Sequence, residues 1–143
     1  MIRLIFCCCY FLPLQHLSLT SGYGNRIHPV TGNVRFHSGI DLRARQDTVF
    51  AVMPGCVQTV NYNPILGIHI ILVNGDLMLL FGHLSQVFVL HGDSIGAGTP
   101  IAITGSTGRV TGEHLHFSVS YRNKHLNPLH FIYALMNNLN KNK

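Results

Sequence analysis

Three short stretches carry side chains suited to hydrolytic chemistry: FHSGIDL with His37 and Asp41, LFGHLS with His83, and GEHLHF with His114 and His116. Each sets an imidazole at a strand end or a glycine-flanked bend, where groups far apart in the chain can converge on one cleft. Imidazole and carboxylate are suitable ligands for a borderline ion such as zinc. A catalytic zinc site typically takes three protein ligands and keeps a fourth position for water. Water held there has its pKa lowered to about 7 and becomes a nucleophile at neutral pH.

Spacing limits what each stretch can do. His114 and His116 lie in an apparent strand, which points residues i and i+2 to one face, roughly 6.5 to 7 Å apart. The pair can hold metal, move a proton or simply occupy an exposed face, and spacing does not assign those roles within it. His37 and Asp41 would stand roughly 13 Å apart in an extended chain, too far for ligand bonds of about 2 Å to one ion. A helix would close the gap, but Gly39 and its loop-like neighbours oppose one. A bend or bulge remains, with Gly39 as the residue that permits it. His16, His28, His69, His91, His125 and His130 read as ordinary solvated side chains.

The elements that must position these groups are mostly strands. TVFAVMPGCVQTVNY reads as a strand, a turn at Pro54 and Gly55, and a second strand. GIHIILVNGDLMLLFGHLS reads as a hairpin about Asn74-Gly75-Asp76. GTPIAITGSTG supplies a further short strand, and HLHFSVSY, Arg122-Asn123 and KHLNP complete the set. Only the tail PLHFIYALMNNLNK has helical spacing, with Leu129, Ile132, Leu135, Met136 and Leu139 on one face and Pro128 near its first turn. No internal repeat, linker or low-complexity block interrupts the pattern.

Composition agrees with an all-β class. The chain has 143 residues, is 47% hydrophobic and only 10% charged, and contains 14 glycines. Ten Lys/Arg against five Asp/Glu give +5, which favours anionic partners such as an acidic cell-wall polymer. The basic residues are scattered singly, which argues against a nucleic-acid groove. The cysteines, Cys7, Cys8, Cys9 and Cys56, have no paired spacing for a zinc knuckle or a disulfide framework. Residues 1–16 form a short apolar leader resembling an abbreviated signal sequence, with an apolar run too short for an integral membrane span. The expected organisation is that leader, a domain over residues 17–130, and a C-terminal helix and tail over 131–143.

At the histidine stretches the sequence resembles the lysostaphin/LytM-type zinc metallopeptidases that cut peptidoglycan. HSGIDL matches an H-x-G-x-D pattern, GHLS a mid-chain His-Leu-Ser, and GSTGRVTGEHLHF a G-x-T-G-x-x-x-G-x-H-L-H-F run; SGYGNRIHPVTG matches the approach to the first. The likeness covers about residues 19–130. It implies a mainly antiparallel β fold, one Zn2+ held by His37, Asp41 and His116, and catalytic roles for His83 and His114. It further implies an extracytoplasmic endopeptidase acting on peptidoglycan peptide cross-links, in the bacterial periplasm or cell envelope and within an envelope assembly. The alternative is a catalytically inactive relative that binds or activates a cell-wall amidase; such relatives lack several site residues, whereas all five stand here. Two departures are visible: Phe81 where relatives often carry tyrosine, and Ser118 where many carry glutamate. Tyr23 has no secure match to an oxyanion-stabilising tyrosine and is left out of the site.

Overall fold

Short apolar runs cut by glycine, proline and asparagine form strands here because alternate residues can bury one face of a pleated sheet. The structure is a computed structural model describing residues 10–27 and 31–141. In chain order it contains β1 (Leu19–Ser21), β2 (Gly24–Ile27), β3 (Val34–His37), β4 (Ile40–Arg43), β5 (Thr48–Phe50), β6 (Gly55–Asn63) and β7 (Gly67–Asn74). There follow β8 (Leu77–Val87), β9 (Ser94–Ile95), β10 (Pro100–Thr104), β11 (His114–Tyr121), β12 (Lys124–Leu126) and α1 (Pro128–Lys141). Ten strands make one sheet in the order β1-β4-β11-β8-β7-β6-β9, with β10 joining β5 to β8 and β12 lying on β11. β2 and β3 form a separate ribbon, and every pairing is antiparallel. The expected all-β class with a terminal helix is the class the chain adopts.

Two of the expected turns close hairpins. β7 and β8 meet across Gly75-Asp76, with Asn74 opposite Leu77. β11 and β12 meet across Arg122 and Asn123, whose φ angles of 48° and 62° are those of a type I′ turn. The Pro54-Gly55 turn behaves differently. β5 pairs with β10 and β6 with β7 and β9, so the two strands it joins do not pair with each other. The cause lies just before the turn: Ala51, Val52 and Met53 are all buried, so the chain crosses the core instead of reversing at the surface.

The core lies beneath the central strands. Ile40 and Leu42 of β4, Ile70 and Leu72 of β7, Leu79 and Phe81 of β8, and Leu115, Phe117 and Val119 of β11 are fully buried. Each such side chain contributes about 1.5–3 kcal/mol through burial. Their alternation with Asp41, His114 and His116 ties the core to the site. A one-residue slip of β4 or β11 would turn the polar side chains inward and the leucines out, so apolar burial fixes the register of the histidines.

The leader set apart at residues 1–16 is described from Tyr10 onward, and Cys7, Cys8 and Cys9 lie outside the described residues. From Tyr10 on it packs against the domain. Leu14 is fully buried, Phe11 N–H donates to Val52 O at 2.9 Å, and Phe50 N–H donates to Pro13 O at 3.0 Å. The helix, Pro128–Lys141, covers the stretch PLHFIYALMNNLNK that has helical spacing, so it starts three residues before the 131–143 division. Asn127 caps it, its Oδ1 accepting from Leu129 N–H at 3.0 Å, with proline at the first helical position. Of the expected apolar face, Ile132 is buried and Leu135 packs on the core beside Phe131, whereas Leu129 and Met136 are exposed. The Leu139 side chain lies outside those described.

Candidate metal centre

His37 ends β3, Ser38 and Gly39 make a bend, and Asp41 is the second residue of β4. The bend brings His37 Nε2 to 3.2 Å from Asp41 Oδ1, closing the gap that an extended chain would leave. Gly39 is needed for a reason other than the expected one. Its φ is not among the positive values, but a Cβ there would sit 2.6 Å from Phe117 O and 2.8 Å from His116 Cε1. Room, more than backbone freedom, requires the glycine.

β11 supplies the third group. His116 stands directly opposite Asp41 in the β4–β11 register, and its Nδ1 lies 3.0 Å from Asp41 Oδ1 and 3.3 Å from His37 Nε2. The three donor atoms form a triangle with edges of 3.0, 3.2 and 3.3 Å. A tetrahedral ion with bonds of about 2.0–2.1 Å needs edges of about 3.3 Å, so the triangle is the base of such a site. It is the one His/Asp group among the described residues able to hold a metal ion.

The other two expected histidines flank this triangle. His114 Nε2 lies 3.6 Å from Asp41 Oδ1, and the His83 and His114 rings meet edge-on with centroids 4.7 Å apart. His83 sits where β8 bulges, between the pairs Ile70–Phe81 and Ile68–Leu84. Its φ of 60° is left-handed, a conformation costing of order 1–3 kcal/mol outside glycine. Two bonds hold it there: His83 N–H to Leu66 O at 2.7 Å, and its ring Nδ1–H to Thr107 O at 2.8 Å.

Backbone carbonyls orient three of the four imidazoles. Gly22 O faces His37 Nδ1, Thr107 O faces His83 Nδ1 and Gly112 O faces His114 Nδ1, each at 2.8 Å. A carbonyl only accepts, so the proton sits on Nδ1 and the Nε2 lone pair is aimed into the cleft. His116 is turned the other way and presents Nδ1. The peptide holding His83 is itself anchored: the Thr107 hydroxyl donates to Leu84 O at 2.6 Å and accepts from Ile68 N–H at 3.0 Å. Gly67 and Gly108, with φ of 64° and 79°, press together beside it, a Cβ on Gly108 falling 2.3 Å from Gly67 N.

Electrostatics favour one charge distribution. Burial pushes the Asp41 carboxyl up, but the neighbouring imidazoles of His116, His37 and His114 together outweigh it. The net result holds the carboxyl well below the usual range. For His83, burial comes first and lowers its pKa; the Thr107 hydrogen bond and Asp41 oppose that, His114 and His116 reinforce it, and the balance stays below the ordinary histidine value. Asp41 is an anion and His83 a neutral base at neutral pH. On the rim, Arg26 Nη1 donates to Ser21 Oγ and stands 3.9 Å from Asp41 Oδ2.

The five expected residues thus meet in one cleft. The three carbonyls, Thr107 and Arg26 were not anticipated; the glycine-rich stretches SGYGN, GSTG and TGEH were the available signal, since glycines mark close backbone approach. His69 departs from expectation in another way. It is buried, with Nδ1–H donating to Gly67 O at 3.0 Å, and it is not among the residues of the metal triangle. His16, His91, His125 and His130 are exposed, and His28 lies outside the described residues. Phe81, the first departure, is core packing against Phe117 at 5.3 Å, so no cleft contact is lost there. The Tyr23 hydroxyl donates to His125 O at 3.3 Å.

A family profile described as Peptidase family M23 matches residues 35–128. The chain is 38% identical over 122 residues to an uncharacterized metalloprotease of Haemophilus influenzae, covering 82% of this chain and 26% of that protein. It is 34% identical over 118 residues to the peptidoglycan DD-endopeptidase ShyB of Vibrio cholerae, covering 80% and 28% respectively. The chain therefore spans about a quarter of the length of these relatives. Among solved structures, a zinc-containing peptidase from Vibrio cholerae superposes with a TM-score of 0.79 at 33% identity, over 84% of this chain and 39% of that one. The catalytic domain of lysostaphin from Staphylococcus simulans gives 0.71 at 27% identity, over 82% and 92%.

Proposed function

The chain belongs to peptidase family M23, and from that premise we propose that it is a zinc-dependent endopeptidase hydrolysing peptide cross-links of bacterial peptidoglycan in the cell envelope. The observation that carries the reading is the triangle of His37 Nε2, Asp41 Oδ1 and His116 Nδ1, whose edges of 3.0 to 3.3 Å fit one zinc ion. When bound there, zinc supplies Lewis acidity for the scissile carbonyl and lowers the pKa of water to about 7.

This chain's own residues supply proton movement and orientation. His83 and His114 each direct an Nε2 lone pair into the cleft, because their Nδ1 protons are committed to Thr107 O and Gly112 O. Within this pair one imidazole accepts the proton of the attacking water. The imidazolium so formed donates to the departing amine, and the same N–H stabilises the tetrahedral intermediate. An inactive amidase-binding module has no need of two imidazoles oriented beside a metal triangle. The DD-endopeptidase named among the relatives favours a cross-link between D-amino acids over a glycine bridge. We take the catalytic unit to be residues 17–130 together with the Tyr10–His16 segment packed on it. Among the described residues no helix is long and apolar enough to cross a membrane.

The test is digestion of purified peptidoglycan, with mass spectrometry of the released fragments. Cleavage that is lost to a chelator, restored by zinc, and absent from a His114→Ala variant still holding zinc supports the reading. Undiminished cleavage by that variant would overturn the role given to His114. A zinc-loaded protein that releases nothing from any wall preparation would sink the endopeptidase.

A further inference from the structure

The row of side chains forming the metal centre continues past Asp41. In the register of β4 on β11, Asp41 stands opposite His116 and Arg43 opposite His114. Residues two apart on a strand share a face, so Arg43 stands on the cleft side roughly 7 Å beyond Asp41. Leu42 and Ala44 are buried while Arg43 and Arg45 are exposed, and the alternation thereby carries on beyond the end of β4. Both arginines line a cavity of about 490 Å³ whose other walls include Leu14, His16, Asp47 and Phe50.

Among the described residues neither guanidinium has an ion-pair partner. The arginine–carboxylate ion pairs among the described residues are Arg26–Asp41 and Arg122–Asp76. Asp47, the acid on the cavity wall, turns Oδ2 to the Arg45 backbone N–H at 3.0 Å. Glu113 accepts from Gln46 N–H at 2.5 Å and from the Thr104 hydroxyl at 3.3 Å. Two guanidiniums against the single Asp47 carboxylate leave the cavity net positive, and with apolar Leu14 and Phe50 on its wall it suits a carboxylate on a short apolar stem, because a planar guanidinium fork matches a carboxylate.

We infer that this cavity binds a carboxylate of the peptide strand being cut, through Arg43 and Arg45. At about 3.4 Å per extended residue, a charge held there lies two to four residues from the scissile bond. The inference rests on the endopeptidase reading and adds a reason why a strand would lie in the cleft in one direction. Arg43 and Arg45 are binding residues only, since neither reaches the reacting atoms.

Two soluble probes test it: a cross-linked muropeptide with free carboxylates, and the same compound with those carboxylates converted to amides. Binding of each is titrated to the full chain and to an Arg43→Gln/Arg45→Gln variant, alongside kcat and KM for cleavage. Because both side chains are exposed, the variant should unfold at the wild-type temperature, and an Arg43→Lys/Arg45→Lys variant should restore part of the affinity. The expected result is about tenfold tighter binding of the acidic probe by wild type, a preference erased by the glutamine variant through KM with kcat unchanged. Equal binding of both probes by wild type, or an intact preference in the glutamine variant, would overturn the inference. If neither probe is cut but the arginine-dependent preference persists in the titration, the endopeptidase reading fails and the carboxylate site stands.

Discussion

His116 and His69 are buried to the same degree, 8% and 7% exposed, and both sit on central strands of the main sheet. Their surroundings set them apart. His69 gives its Nδ1 proton to Gly67 O two residues away, a bond satisfied within its own strand. His116 presents Nδ1 to Asp41 and His37, which lie 75 and 79 residues earlier in the chain. Burial of an imidazole is therefore no mark of function by itself. Lone pairs converging from distant segments are, because nothing in a hydrophobic core demands that acceptors be crowded together.

That contrast can be broken or sharpened by substitution. The largest effect is expected at the triangle: Asp41→Ala should remove bound zinc, measured by elemental analysis, and lower peptidoglycan cleavage by more than about 10³-fold. His114→Ala should keep zinc yet lower kcat by about 10²–10⁴-fold, as loss of a positioned general base does. Gly39→Ala, which pushes a methyl onto Phe117 O and the His116 ring, should weaken zinc binding by about 10–100-fold in a competitive chelator titration. At the bottom of the scale, His69→Gln should leave zinc content and kcat within about twofold and cost about 1 kcal/mol in chemical denaturation, since only a local bond is lost. Zinc loss in His69→Gln would abolish the distinction between the two histidines.

A smaller effect follows from pH. The pKa values of Asp41 and His83 are both lowered on folding, so over the range between folded and unfolded values the unfolded chain binds more protons. Their contribution is present above the unfolded values of 3.8 and 6.5 and is lost as pH falls through the folded ones. Thermal stability of the metal-free protein should therefore fall from pH 6.5 downward because of His83, then again below pH 3.8 because of Asp41. The first decline should be shallower in His83→Gln. A melting temperature that rises as pH drops from 7 to 5 would contradict the sign.

Much of this was legible in the sequence, for a physical reason. Period-two alternation in HLHFSV shows at once which residues build the core and which share the cleft face. The ordered His-Asp, His and His-x-His stretches carry the chain-distant partners. What stayed hidden depends on contacts made by the backbone. Carbonyls carry no residue identity, so the orienting roles of Gly22, Thr107 and Gly112 could only be suggested by nearby glycines. The need for Gly39 was read as a matter of torsion because the strand lying over it is 77 residues away. In residues 10–16 the apolar run alone carries no sign of the contact that buries Leu14 in the core.

Because the partners that aim His37, His83 and His114 are peptide oxygens, no single side-chain exchange can delete them. Selection or engineering can reach the aim of those rings only by bending the main chain, at Gly22, Gly67, Gly108 or Gly112. Adaptation to a new substrate should accumulate on the walls of the cleft, while its centre changes in abrupt steps when a glycine is lost.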